Sequence, residues 1–518
     1  MTWTRREFMT TSALAAASCA VLGCASSSKE VKMPETPVQA PVVPVATIQK
    51  DYFYHHFGIT REMIDQVLGK ALSKGGHWGD LFFEHSRKGG IVLLDGKVSQ
   101  GQASTSLGMG VRCVYEDQVG YGYTESLAIE DMMRAAEAAA AIAPNVDVGS
   151  IQRRKFQKYD TFYAQDINWD LLELSKAVAL LQDIEKRTRA KDASIIQVSL
   201  SLQWHQRNVM INTSDGMNAE DSAPRYMLSM NVVMKRGDVV QSNRAALAGT
   251  HDFASITEDK VAKFIDEGVS QTAILFEAVK PKAGEMPVVL GAGASGILLH
   301  EAIGHGLEAD FNRKGESIFA TKLNQSIACP EVTIVDSGHI ENNRGALNVD
   351  DEGTPAQRTV LVENGVLKSY MHDKISAKHY GIASTGNGRR ENYQFAPVPR
   401  MRVTMMENGT HPREELFAGI KYGIYCEKYT NGQVFIGAGD YTFYVKNGYL
   451  IEDGKLTAPI KDVNIIGNGP DTLSKITMVA NDFAIDNGTW TCGKAGQSAP
   501  VGLGMPSVLV SSITVGGV

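Results

Sequence analysis

The chain has 518 residues, 43% of them hydrophobic and 21% charged, with a net charge of −7. That length exceeds one hydrophobic core and predicts two to four globular domains. The acidic balance, with no basic stripe, excludes a nucleic-acid-binding role. Beyond the N-terminal leader no apolar run reaches the roughly 20 residues needed to cross a bilayer.

The first segment is an address. Thr4-Arg5-Arg6-Glu7-Phe8-Met9 is a twin-arginine pattern, followed by a small-residue apolar stretch at 12–22. Together they predict an export signal over residues 1–23. Val21-Leu22-Gly23-Cys24 resembles a lipobox, which predicts lipidation of Cys24 and a membrane-anchored lipoprotein on the periplasmic side. Residues 24–50, rich in serine and carrying Pro34, Pro37, Pro41 and Pro44, read as an extended tether. Beyond them Cys113, Cys329, Cys426 and Cys492 are scattered with no CxxC pair. Cys329 and Cys426 read as buried strand positions, whereas Cys492 lies in a glycine-rich loop.

The predicted fold class is α+β. An N-terminal α/β domain (51–150) begins with a helix over 60–73, striped by Met63, Val67, Leu68 and Leu72. Short strands at 81–84, 91–94, 110–115 and 119–123 follow, then a helix over 128–142 and a linker at 145–150. A middle α+β domain (151–283) has helices over 169–189 and 257–279 around strands at 195–204, 207–213 and 225–235. The C-terminal domain (284–518) is β-rich, with strands at 331–336, 359–363, 400–406, 441–445 and 507–515. Strand edges beside a cleft would hold an extended peptide by its backbone.

The C-terminal domain also carries the helix His300-Glu301-Ala302-Ile303-Gly304-His305. Two imidazoles with a carboxylate after the first supply nitrogen ligands and a proton acceptor for water at a metal site. On a regular helix a five-residue spacing separates the two rings by about 140°. Both reach one ion only if the helix widens, as in a π-bulge, or ends near the second histidine. Gly304 is the residue that permits either distortion. A third protein ligand is needed. The candidates are Glu308 or Asp310 nearby, another histidine, or Cys492, whose thiol Lys494 would help ionise.

Just upstream, Gly291-Ala292-Gly293-Ala294-Ser295-Gly296 matches GxGxxG. A dinucleotide site also needs an acidic residue at the tip of a second parallel strand about 20 residues on. The polar, irregular stretch at 308–317 offers no such strand. The glycines are expected instead to turn a strand tightly into the helix, which leaves a dinucleotide-binding oxidoreductase as the weaker alternative.

The residues from 296 to 310, with Gly388-Arg389-Arg390-Glu391-Asn392-Tyr393, Pro397-Val398-Pro399-Arg400-Met401, Ile466-Gly467-Asn468-Gly469-Pro470 and Thr491-Cys492-Gly493-Lys494, resemble the TldD/PmbA metalloprotease family, in its catalytic TldD type. The resemblance runs from about residue 55 to the C-terminus. It implies one Zn2+ per chain held by His300, His305 and Cys492, with Glu301 as catalytic base. It also implies hydrolysis of short or unfolded peptides inside a dimer, either a homodimer or a heterodimer with a PmbA-type subunit. The familiar members are cytoplasmic, so the export signal makes a homodimer the more economical expectation. A non-catalytic scaffold or partner subunit is the alternative, and the intact Glu301 argues against it. Arg389, Arg390, His372 and His379 are possible further donors, but a structural role is expected for each.

Overall fold

The computed structural model describes residues 51–145, 150–435 and 437–517; the expected export signal, Cys24 and the tether lie outside the described residues. Two helices come first, α1 (Tyr52–Phe57) and α2 (Arg61–Leu72). Thr60 caps α2 by accepting the Met63 amide at 3.2 Å. The buried stripe of α2 is Ile64, Val67, Leu68, Ala71 and Leu72, so Ile64 takes the place expected of Met63.

Six long strands and three helices follow: β1 (Trp78–Leu94), β2 (Lys97–Tyr115), β3 (Gln118–Thr124), α3 (Ile129–Ala140), α4 (Leu174–Lys191), β4 (Ile195–Thr213), β5 (Met217–Arg236), β6 (Val239–Gly249) and α5 (Glu258–Ala273). The strands form one antiparallel sheet in the order β3-β2-β1-β4-β5-β6. β1 pairs with β4 from Asp80↔Thr213 to Leu94↔Ser199, so residues 51–150 and 151–283 are joined through a shared sheet. Leu81 and Phe83 pack under α1, α2 and α3, while Ile91 and Leu93 pack under α4 and α5. Successive side chains alternate faces, so these odd-numbered residues place all five helices on one face.

The other face carries buried charged groups beside a small apolar cluster of Phe82, Val209, Ile211 and Tyr393, and it meets the C-terminal region. Arg112 bonds Asp80 and lies 2.7 Å from Glu352, and Arg390 reaches Asp80 at 3.3 Å. Arg207 pairs with Asp351 at 3.0 Å and with Glu84 at 3.5 Å. Such buried pairs add little net stability over apolar packing, but breaking one leaves a stranded charge. They fix the register of the two parts. Arg390 is thereby structural, as expected.

The C-terminal region contains β7 (Gly284–Leu290), β8 (Ile334–Ser337), β9 (Arg358–Glu363), β10 (Val403–Met406), β11 (Tyr422–Phe435), β12 (Asp440–Glu452), β13 (Val463–Asn468), β14 (Thr491–Lys494), β15 (Gln497–Pro500), β16 (Gly502–Met505) and β17 (Val508–Gly517). One mixed sheet runs β9-β8-β10-β16. The other runs β11-β7-β17-β13-β12, and β12 pairs back onto β11 to close it. Leu298, Leu299, Ala302 and Ile303 of the histidine-bearing helix lie in a core shared by both sheets, against Ile334, Leu361 and Met406 from one and Leu290, Phe443 and Val510 from the other. The helix is clamped on both sides. The α+β class holds throughout.

Several strands differ from expectation. Residues 81–84 and 91–94 belong to one strand, as do 195–204 and 207–213, while β6 and the first half of β2 were not expected at all. Cys426 is a buried strand residue, but Cys329 is a half-buried loop residue.

Candidate metal centre

His300 sits in a π-helical turn, Leu299–Gly304, between a short α-helical turn (Gly296–Leu298) and a 3-10 turn (His305–Leu307). The His305 amide donates to the His300 carbonyl five residues back, the bond that defines the widened turn. Widening removes the divergence expected of a regular helix. The two rings lie 5.0 Å apart, centroid to centroid, with planes at 82°. Both devices considered from the sequence operate: the helix widens, and it ends just beyond the second histidine. Gly304 has ordinary helical angles, however, so its role is space rather than backbone freedom. A Cβ there would stand 2.1 Å from the Met401 sulfur.

Cys492 arrives from a different element. It is not in a loop: it occupies β14, paired with Ala499 across the β14–β15 hairpin. Its Sγ is 3.4 Å from His305 Nε2. One ligand atom from each of His300, His305 and Cys492 falls within 4.8 Å of the others. All three are buried, at 1%, 4% and 3% exposure. Burial alone would push the Cys492 thiol up, but the two imidazoles reverse this and hold it down to about 4. The centre therefore presents a thiolate at neutral pH.

Among the described residues neither ring nitrogen of His300 makes a well-formed hydrogen bond, although the Cys492 thiol is close enough to feel the ring. A buried imidazole left unpartnered on both sides is costly, and a cation bound by one nitrogen relieves that cost on its side. Two imidazoles and a thiolate suit a borderline-soft divalent ion with one position left open. The Glu301 carboxylate, about a quarter exposed, lies 3.8 Å from His305 Nε2 and so borders the same space.

Glu308 is not in the converging set. Its Oε2 is 2.9 Å from His305 Nδ1, behind the ring, which leaves Nε2 for the centre. This is the carboxylate–histidine arrangement that orients a metal-binding imidazole. Burial raises the Glu308 carboxyl, but Lys494 and then His305 overcome it and take it down to about 2. His305 is correspondingly held well above its usual range: burial opposes this, and Glu308 dominates. Lys494 does not contact the thiol it was expected to activate. Its ammonium lies 3.0 Å from Glu308, 2.7 Å from Asp310 and 2.8 Å from the Pro399 carbonyl. Cys492 and Lys494 share one face of β14, so the strand that delivers the sulfur also ties down the histidine helix.

Arg400 was quoted only as part of a motif, yet it holds the hairpin. It donates to the Cys492 carbonyl at 2.6 Å and to the Gln497 carbonyl at 3.1 Å. Arg389 bonds the Met401 and Pro500 carbonyls, and His372 is buried away from the cluster's hydrogen bonds. The glycine loop serves packing. Gly293 has φ +75°, and Cβ atoms at Gly291 and Gly296 would meet the Cys426 carbonyl and the Gly504 amide within 3 Å. Leu290 pairs with Cys426 and Val508, and no acidic-tipped second strand follows as a dinucleotide site requires.

A buried His/His/Cys cluster with a bordering carboxylate, on a closed α+β scaffold, defines a metallopeptidase-type centre. Three family models match in series: PmbA/TldA metallopeptidase domain 1 over residues 79–143, the central domain over 167–276 and the C-terminal domain over 283–517. The chain is 39% identical over 447 residues to the metalloprotease TldD homolog of Haemophilus influenzae, covering 85% of this chain and 93% of that protein. It is 36% identical over 238 residues to the zinc metalloprotease TldD homolog of Saccharolobus solfataricus, covering 46% of this chain and 53% of that one. The structure of TldE from Thermococcus kodakarensis shares the fold, with a TM-score of 0.69 at 20% identity over 88% of this chain and all of that one. This chain belongs to the PmbA/TldD metallopeptidase family.

Proposed function

We propose that the protein is a zinc-dependent peptidase that hydrolyses short or unfolded peptides, with His300, His305 and Cys492 as ligands of one Zn2+ and Glu301 as general base. The observation that carries this reading is the buried convergence of two imidazoles and a thiolate, with neither His300 nitrogen in a well-formed hydrogen bond among the described residues. The zinc-containing name of a relative agrees with that donor set. When bound, zinc supplies Lewis acidity, which acidifies water and polarises a carbonyl. Glu301 takes the proton from the attacking water and passes it to the departing amine. The intact donor set and Glu301 disfavour a non-catalytic subunit. Loss of peptide cleavage on chelation, restored by added zinc, tests this reading; cleavage indifferent to chelator rejects it.

Glu308 bonds His305 Nδ1 and so would position the ring for a metal at Nε2. Glu308→Gln is expected to weaken zinc affinity by roughly 10- to 100-fold, the usual cost of losing such a partner. Competition with a chromophoric chelator measures it, and an unchanged affinity would show that Glu308 serves only folding.

The leader pattern at 4–9 and Cys24 motivate a further proposal: the protein works as a lipid-anchored homodimer on the periplasmic side. Expressed with its own leader, it should fractionate with membranes and sediment in detergent at twice the chain mass. Cys24→Ser should release it to the soluble fraction. Cytoplasmic recovery of the wild type would reject the placement.

A further inference from the structure

The face of the large sheet that meets the C-terminal region carries a row of basic side chains with no salt-bridge partner among the described residues. Lys88 of β1, His205 of β4 and Arg225 of β5 stand directly opposite one another across three strands, so all three point to the same side. Lys88 and Arg225 thus stand two strands apart on one face, with His205 between them. Arg344 joins them from the C-terminal region, and together with Gln102 and Gln203 they line a cavity of 260 Å³.

Arg225 is 5% exposed, yet its only hydrogen bond is from Nε to the Arg344 carbonyl at 3.4 Å, and no carboxylate pairs with it among the described residues. Asp221 and Asp351 act on Arg225 through space, but their hydrogen bonds go to other groups. Asp351 and Glu84 hold Arg207, and Asp221 is bonded by Tyr163, Gln165 and Asn348. Arg344 donates to the Gly488 carbonyl, and no carboxylate pairs with it among the described residues. Burial and the surrounding cations keep His205 well below its ordinary range, so it adds a neutral donor or acceptor rather than a further charge.

Pro500 forms part of the cavity wall. It pairs with Thr491, the residue before Cys492. Opposed strand residues lie about 5 Å apart and successive residues 3.8 Å apart, so the wall stands within roughly 10 Å of Cys492. Two or three residues of extended peptide cover that span.

We infer that this pocket binds a carboxylate of the peptide substrate, through Arg225 and Arg344 in its lining with Lys88 at the rim. Arginine forks match a carboxylate in a bidentate way. The carboxylate is either the chain's C-terminus or an Asp or Glu side chain near the cut. The inference rests on the peptidase reading.

Three versions of one unstructured peptide separate these points: a free acid, its C-terminal amide, and an amide with a Glu near the cut. Zinc-loaded wild-type protein should give a kcat/KM for at least one carboxylate-bearing version that is roughly 10- to 100-fold above the plain amide, the range of a buried charge-assisted bond. The favoured version identifies the source. The ratio should collapse toward one in Arg344→Gln and in Lys88→Glu, with the change in KM; Arg225→Gln should do the same where it folds. Equal rates for all three peptides, or a preference that survives the rim variants, would overturn the pocket while leaving the peptidase reading intact. Absence of cleavage of every version would instead reject the peptidase reading, and titration of the acid and amide into the zinc-loaded protein would still decide the pocket, equal affinities rejecting it.

Discussion

Glu301→Gln is expected to retain one zinc per chain and to lose peptide cleavage by about 10²- to 10⁴-fold in kcat, the usual contribution of a positioned general base. Glutamine keeps the shape of the side chain and cannot accept the proton. Because the carboxylate is part-exposed and lies beside His305 rather than in the buried donor set, the exchange leaves no stranded charge. Elemental analysis and a peptide assay on the same preparation read both halves of the expectation. A variant with normal zinc and a normal rate would show that another group moves the proton.

Cys492→Ser is expected to fail at the earlier step, with zinc content falling from one per chain toward zero and activity falling with it. The wild-type sulfur is held as a thiolate at neutral pH by the two imidazoles, overcoming its burial. A serine hydroxyl has no comparable ionisation and cannot replace the anionic ligand. The hairpin itself should survive, since Arg400 grips the Cys492 carbonyl rather than its side chain and the Cys492↔Ala499 pairing is backbone. An unchanged melting profile beside an emptied site would separate ligation from folding. Unaltered zinc content would remove Cys492 from the donor set.

How much of this was legible beforehand depends on the range of the forces involved. The spacing of His300 and His305 is a local fact, and the need for a widened or ending helix followed from helix geometry alone. The π turn meets that need. The packing role of the glycine loop was readable for the same reason, since turns are set by near neighbours. Strand boundaries were not. Gly89 and Gly90 look like a turn, but the Trp204 ring lies over Gly89, closer than a Cβ could tolerate, and the strand runs straight through. The first half of β2 is exposed and polar, with no alternation to detect, and only its pairing with β1 makes it a strand.

By itself the sequence determined the α+β class and the His300/His305 pair with its helix-geometry problem, because these depend on composition and short-range periodicity; Cys492 entered the expected donor set only through the family resemblance. Only the tertiary structure decided which groups meet. Cys492 lies 187 residues beyond His305, and it reaches the histidine through β14, Arg400 and the Lys494 bridge to Glu308. A contact of that separation is set by strand order and by buried charge pairing, neither of which leaves a local mark in the chain. The same reason misplaced Glu308: three residues past His305 a helical continuation would point it toward the ion, and packing turned it behind the ring.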